Sequence, residues 1–268
     1  MNRSMIRIAV AVMLAACYAT SGDAYAANPP RGKFGTQTAA RKQENDDMKR
    51  KLTPYLTDEG MSGRVTWKEY TVNPKAKGEP TLLVVFGGRD SVRRGDVPGA
   101  IPLAIDKALV YGRTRAKNAR LVVLVPEIAI EHGRGFRERP STDGIAKLVL
   151  ARAEANGVKR ERVFATGFSM GGGMVYSLLD DNPTLFSRAV VVGASGDSRF
   201  ADGLKAEIWA LHGADEDLIP LARVKSLADA ASKKAPGKMK LEVLAKTGHA
   251  ESEKAAYSKP DTWKWLFR

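Results

Sequence analysis

The sequence predicts an α/β domain with a mostly parallel central sheet and helices on both faces. Three observations lead there. Short runs that are apolar at every position recur along the chain, the pattern of strands covered on both sides. Segments of helical length separate them, so strand and helix alternate throughout. The chain has 268 residues, 44% of them hydrophobic, which suffices for one sizeable core.

The first strand expected is Arg64–Val72, which alternates with Val65, Trp67 and Tyr70 as apolar points. Continuous apolar runs follow: Thr81–Phe86 before Gly87-Gly88, Leu121–Val125 before Pro126, Val163–Thr166 before Gly167, and Ala189–Val192 before Gly193. Ile208–Leu211 ends at His212-Gly213, and Leu241–Leu244 leads to Thr247-Gly248-His249. Helices are expected over Ile101–Lys117 and over Thr142–Asn156, the latter stopped by Gly157. Others are expected over Met170–Asp180, Leu221–Lys234 and Glu253–Phe267. Ligands of such sheets bind at the carboxyl ends of the strands, so the loops there are the place to look for chemistry.

The N-terminal region reads differently. Arg3 and Arg7 precede an apolar run, Ile8–Ala16, that is too short to span a bilayer. Residues 1–26 therefore read as a signal peptide, and the protein as exported: periplasmic or secreted. Two processing patterns compete. Leu14-Ala15-Ala16-Cys17 resembles a bacterial lipobox, which would anchor the protein in the cell envelope through lipidated Cys17. Ala24-Tyr25-Ala26 is an A-x-A-like cleavage site that would release it as a soluble protein. Cys17 is the single cysteine, so no intramolecular disulfide forms on either route. Residues 27–61 read as a polar linker and a short helix near 38–52, and residues 62–268 as the folded domain.

The formal net charge is +13, which favours anionic partners. The basic residues are dispersed and no nucleic-acid-binding signature accompanies them, so no nucleic-acid partner is expected.

The chemistry concentrates in three places. Gly167-Phe168-Ser169-Met170-Gly171 is a G-x-S-x-G pentapeptide between a strand and a helix. In such an elbow a sharp turn pushes the serine hydroxyl out of the sheet edge, and small flanking residues let strand and helix approach. A hydroxyl is a weak nucleophile at neutral pH and needs a base. His249, in the loop after the last strand, has the position that the order Ser, acid, His requires. His212 reads as structural, and His132 lies upstream of the serine, in the wrong order. The acid that would hold the imidazole falls within Asp215-Glu216-Asp217, after the strand that ends at Gly213. The oxyanion formed in acyl transfer would be met by the backbone N–H of Met170 and by a second donor from the Gly87-Gly88-Arg89 turn, with Gly88 favoured and Arg89 its neighbour.

These residues, together with Leu211-His212-Gly213, Ile219-Pro220, Gly248-His249 and Trp263–Phe267, resemble the α/β-hydrolase superfamily. The resemblance is to its small esterases, the dienelactone-hydrolase-like and the polyhydroxybutyrate-depolymerase or feruloyl-esterase-like groups, and it covers about residues 64–268. It implies an α/β-hydrolase fold without a large lid domain, and hydrolysis of a carboxylic ester, small-molecule or polymer-linked, with no metal or cofactor. The family usually carries Asp three residues after the glycine of the His-Gly motif. Here that position is Glu216, so spacing favours Glu216 while residue type favours Asp217. The family often has His-Gly at the oxyanion strand, where this chain has Phe86-Gly87. A peptidase or acyltransferase with the same triad, and a hydrolase-like protein that only binds polyanions, are the competing readings.

Arg89, Arg93 and Arg94 follow the oxyanion strand, which suggests substrate-binding cations and an anionic substrate. If so, replacing Arg93 and Arg94 together by Ala lowers the preference for acidic over neutral esters. Paired kcat/KM measurements check this, and an unchanged ratio removes the idea.

Overall fold

The computed structural model describes residues 39–62, 65–88, 102–128 and 142–268. The expected signal peptide with Cys17, most of the polar linker, His132, and the arginines Arg89, Arg93 and Arg94 lie outside the described residues. The chain divides into two compact units, Met1–Gln43 and Glu44–Arg268. In the first, residues 39–43 are described, as the opening of helix α1 (Ala39–Leu52). The second holds the sheet.

Eight strands form one sheet: β1 (Leu56–Ser62), β2 (Val65–Val72), β3 (Gly78–Phe86), β4 (Ala119–Ile128), β5 (Val163–Phe168), β6 (Arg188–Val192), β7 (Glu207–Gly213) and β8 (Met239–Leu244). Their order is β1-β2-β4-β3-β5-β6-β7-β8. β1 and β2 run antiparallel to their neighbours, and all pairs from β4 to β8 are parallel. The chain leaves β3 toward β4 on one side and returns to β5 on the other. That reversal puts a crevice at the carboxyl ends of β3 and β5.

Alternate residues of the buried strands feed two cores. Leu82, Val84, Val122, Leu124, Val163, Ala165, Ala189 and Val191 point to one face. There they meet helices α3 (Thr142–Ala155), α4 (Met170–Asp181) and α5 (Leu221–Lys234) through Leu148, Val149, Val175, Leu178 and Leu227. Leu83, Val85, Val123, Phe164, Val190 and Trp209 point to the other face. They meet α1, α2 (Pro102–Arg115), α6 (His249–Ser258) and α7 (Pro260–Leu266) through Leu52, Ile105, Leu109, Tyr257 and Trp263. Coverage on both sides is the physical reason that these strands read as unbroken apolar runs.

Three expectations change. The region before residue 62 contributes a strand, β1, which is exposed along nearly its whole length, Leu56 and Met61 included. Its order comes from pairing with β2, where Gly60 faces Trp67 and a Cβ would fall 2.7 Å from the indole. Pro126 does not end β4: pairing with β3 stops at Leu124, and the strand continues against β2. The last helix is two helices, because Pro260 pushes Lys259 into extended backbone (φ −77°, ψ 116°). Thr262 Oγ1 and Trp263 Nε1 donate to the carbonyls of Ala256 and Tyr257 at the break, and the Lys259 N–H also reaches Ala256 O.

One buried ionic cluster ties β1 and β2 to α3. Arg152 Nε and Nη2 donate to the two oxygens of Glu69 at 2.7 and 2.8 Å, and Nη2 also reaches Asp58 at 2.6 Å. The guanidinium lies 4.2 Å from the centroid of the Trp67 ring. Glu69 is 2% exposed, Asn156 Nδ2 also donates to both of its oxygens at 3.3 Å, and a carboxylate so buried is costly to leave without its arginine. Arg152→Met is expected to cost about 3–5 kcal/mol in urea unfolding, and Glu69→Met added to it to recover most of the loss.

Candidate active site

Ser169 follows β5 directly and precedes the first residue of α4. Its backbone has φ 55° and ψ −120°, a left-handed conformation that costs a non-glycine residue on the order of 1–3 kcal/mol. Surrounding structure enforces it. The Ser169 N–H donates to Val192 O at 2.9 Å, and the Gly173 N–H donates to Ser169 O at 3.0 Å. The flanking glycines are steric requirements. A Cβ on Gly167 would fall 2.4 Å from the Gly171 carbonyl carbon, and one on Gly171 would fall 2.2 Å from Phe86 O. The elbow is thus wedged against the end of β3.

Glu216 and His249 follow adjacent strands: Glu216 lies in the loop after β7, and His249 opens α6 after the loop that follows β8. The two loops are bonded to each other by Ala214 N–H to Leu244 O at 2.9 Å and Asp215 N–H to Thr247 O at 3.0 Å. Gly213 makes that approach feasible, since a Cβ there would lie 2.2 Å from Thr247 O. His212 is buried, and its Nε2–H donates to Ile219 O at 2.9 Å, which pins the far end of the acidic loop. His212 therefore has the structural place expected of it.

The geometry joins three side chains. His249 Nε2 lies 2.9 Å from Ser169 Oγ, and His249 Nδ1 lies 2.7 Å from Glu216 Oε2. The Glu216 side chain is fully buried, and that of His249 is 14% exposed. The other carboxylate oxygen, Oε1, accepts N–H bonds from Leu218 at 2.9 Å and Ile219 at 3.2 Å. With the carboxylate at Nδ1, the Nδ1–H tautomer is held and Nε2 is left to accept the serine proton. Asp217, the alternative that residue type favoured, is exposed in the same loop, as is Asp215. The Nδ1–H has a single direction of donation and Glu216 occupies it, so the structure brings Glu216 and not Asp217 to the imidazole.

Gly88 is buried at the end of β3, where a Cβ would meet Phe168 Cδ1 at 3.4 Å and Phe168 O at 3.7 Å. Its backbone therefore runs beside the residue that precedes Ser169. Met170 opens α4, whose unpaired N–H groups and dipole favour negative charge. Phe86, which stands where the resembling family often has histidine, is buried edge-to-face against Phe186. Among the described residues, no group of three or more His, Cys, Asp or Glu side chains is arranged to hold a metal ion.

Two contacts had no signal in the sequence. Ser252 Oγ donates to His249 O at 2.7 Å and anchors the backbone of the base. The Phe168 ring lies under the imidazole, with centroids 4.8 Å apart. Behind β5, Thr166 Oγ1 donates to Val190 O at 2.8 Å and lies 3.0 Å from the Tyr257 hydroxyl. Burial pushes the Tyr257 phenol well above its ordinary range, so it stays neutral and structural.

A sequence profile described as the Dienelactone hydrolase family matches residues 131–264, half of the chain. No curated protein matches it. Among solved structures, a thermostable esterase superposes with TM-score 0.62 at 18% identity, over 81% of this chain. This chain covers 63% of that esterase, less than two thirds of its length. A protein described as a predicted CIB-like hydrolase from Thermoplasma acidophilum matches with TM-score 0.55 at 17% identity, over 79% of this chain and 97% of its own. Est1E from Butyrivibrio proteoclasticus matches with TM-score 0.53 at 11% identity, over 79% and 97%. At these identities the structural likeness establishes the α/β-hydrolase fold.

The glycine packing separates two neighbouring positions. Gly171→Ala is expected to lose at least ~2 kcal/mol of stability through overpacking against Phe86. Gly173→Ala, whose Cβ would meet only Ser195 O at 3.8 Å, is expected to gain about 0.5–1 kcal/mol. Thermal unfolding of both variants checks the contrast.

Proposed function

The chain belongs to the dienelactone hydrolase family and is a hydrolase, and we propose that it hydrolyses carboxylic esters through an acyl-enzyme on Ser169. The observation that carries this reading is the continuous chain Glu216–His249–Ser169, at 2.7 and 2.9 Å, ending on a serine held at φ 55°.

The reaction proceeds in two balanced halves. Ser169 Oγ attacks the acyl carbon while its proton passes to His249 Nε2. The carbonyl π electrons move to oxygen, and the oxyanion is met by the N–H groups of Gly88 and Met170. His249 then gives its proton to the alkoxide leaving group as the ester C–O bond breaks, and the alcohol departs. Water repeats the sequence on the acyl-enzyme: His249 takes a proton from it, hydroxide adds to the carbonyl, and the proton returns to Ser169 Oγ as the acid is released. Glu216 stays ionised and stabilises the imidazolium that forms twice per turnover.

The substrate class is a small-molecule or polymer-linked ester, anionic if Arg89 and Arg93 face the acyl pocket. The location is the periplasm, the exterior or the cell envelope, a proposal supported by the charged, apolar and small-residue order of residues 1–26 and by Cys17 in its lipobox-like setting.

The test is hydrolysis of p-nitrophenyl acetate and butyrate. Ser169→Ala is expected to lose at least ~10³-fold in kcat, and Glu216→Gln about 10²–10⁴-fold. Asp217→Asn is expected to stay within about twofold. No hydrolysis by the unsubstituted protein, with no labelling of Ser169 by a fluorophosphonate, would replace this reading with that of a polyanion-binding protein.

A further inference from the structure

Phe168 is the variable residue of the G-x-S-x-G motif, yet its ring occupies the middle of the site. It is 7% exposed. Its edge atoms border the loops after two other strands: a Cβ on Gly88 would lie 3.4 Å from Cδ1, and one on Gly193 would lie 3.1 Å from Cε2. Glycine at 193 leaves room for the ring, and at 88 even a Cβ would rest against it in ordinary contact, so backbone lines it on both sides. The His249 ring stands 4.8 Å from it, centroid to centroid, with the planes 36° apart. At that distance and tilt the rings lie nearer to stacked than to edge-on, which presents an aromatic face to the imidazole.

We propose that Phe168 is a positioning residue that supports His249 and, through its ring quadrupole, stabilises the imidazolium form selectively. The inference rests on the reading of Ser169, His249 and Glu216 as a triad. In that cycle His249 is neutral in the free enzyme and in the acyl-enzyme, and cationic only around the tetrahedral intermediates. An aromatic face within about 6 Å of a cation attracts it electrostatically, and attracts a neutral ring far less. The attraction is therefore present at the transition state and nearly absent in the ground state, which is the kind of interaction that raises kcat rather than lowers KM. Glu216 approaches the same imidazole at its Nδ1 edge, so the carboxylate and the ring face address the cation from different directions. An aliphatic side chain of similar volume would fill the space and keep the packing against Gly88 and Gly193, but would supply no such field.

Site-specific replacement of Phe168 by 4-fluoro-, 3,5-difluoro- and 3,4,5-trifluorophenylalanine tests this, because fluorine drains the ring face of π density at almost constant volume. With p-nitrophenyl butyrate, kcat and kcat/KM are expected to fall together with each added fluorine, by about two- to fivefold over the series, at constant KM. Thermal unfolding is recorded on the same samples. A flat series in a protein whose hydrolysis depends on Ser169 overturns the role of the ring face and leaves the triad standing. A decline that follows the melting temperature rather than the number of fluorines also overturns it. Absence of Ser169-dependent hydrolysis in the unsubstituted protein overturns the triad reading and this inference together.

Discussion

Between helix α4 and the end of β3 there is no room for a methyl group: a Cβ on Gly171 would sit 2.2 Å from Phe86 O. The chemistry of the site depends on that approach. With α4 this close, the chain must turn from β5 into the helix within one residue, and Ser169 absorbs the turn at a positive φ. The same approach brings Gly88, which follows β3, alongside Phe168 and the start of α4. One packing constraint thus sets both the strained turn at Ser169 and the approach of Gly88 to Phe168.

The second half of the site is built by a similar economy. β7 and β8 are parallel neighbours, so their following loops emerge side by side. Gly213 lets those loops touch, and two backbone hydrogen bonds join them. The distance between acid and base is therefore set by sheet register rather than by long flexible side chains. The buried carboxylate of Glu216 is held at both oxygens: two backbone N–H groups meet Oε1 and the imidazole meets Oε2. The longer glutamate stem fits because Leu218 and Ile219 fold back to meet it.

Away from the site, the two faces of the sheet are stabilised differently from its edge. The central strands bury continuous apolar surface beneath helices. The β1–β2 edge lacks that cover along β1 and is tied to α3 by the Arg152 cluster instead. This division leaves the carboxyl ends of β3 and β5 between strands that are buried on both faces, where packing can hold a strained residue.

Much of this was legible in the residues because it is local. Apolar runs marked the parallel strands, and the glycines around Ser169 marked the elbow. The position of His249 after the last strand followed from strand order. Other features were not legible because they arise from residues far apart in sequence. β1 has no apolar alternation to announce it, since it is an exposed edge ordered by its partner. The break of the last helix at Pro260 is the exception, a local signal written in the residues themselves. The choice between Glu216 and Asp217 turned on which carboxylate a loop folded inward, across a contact spanning 33 positions. Phe168 reads in the sequence as an unspecified position of a motif. Its place beneath His249, 81 residues later, exists only once β5 and β8 belong to one sheet. Sequence alone determined the alternation of elements and the chemical types available to the site, because both are written in neighbouring residues. Tertiary structure alone decided which of those groups touch, because hydrogen-bond direction and ring stacking are set by the register of strands that the chain joins only when folded.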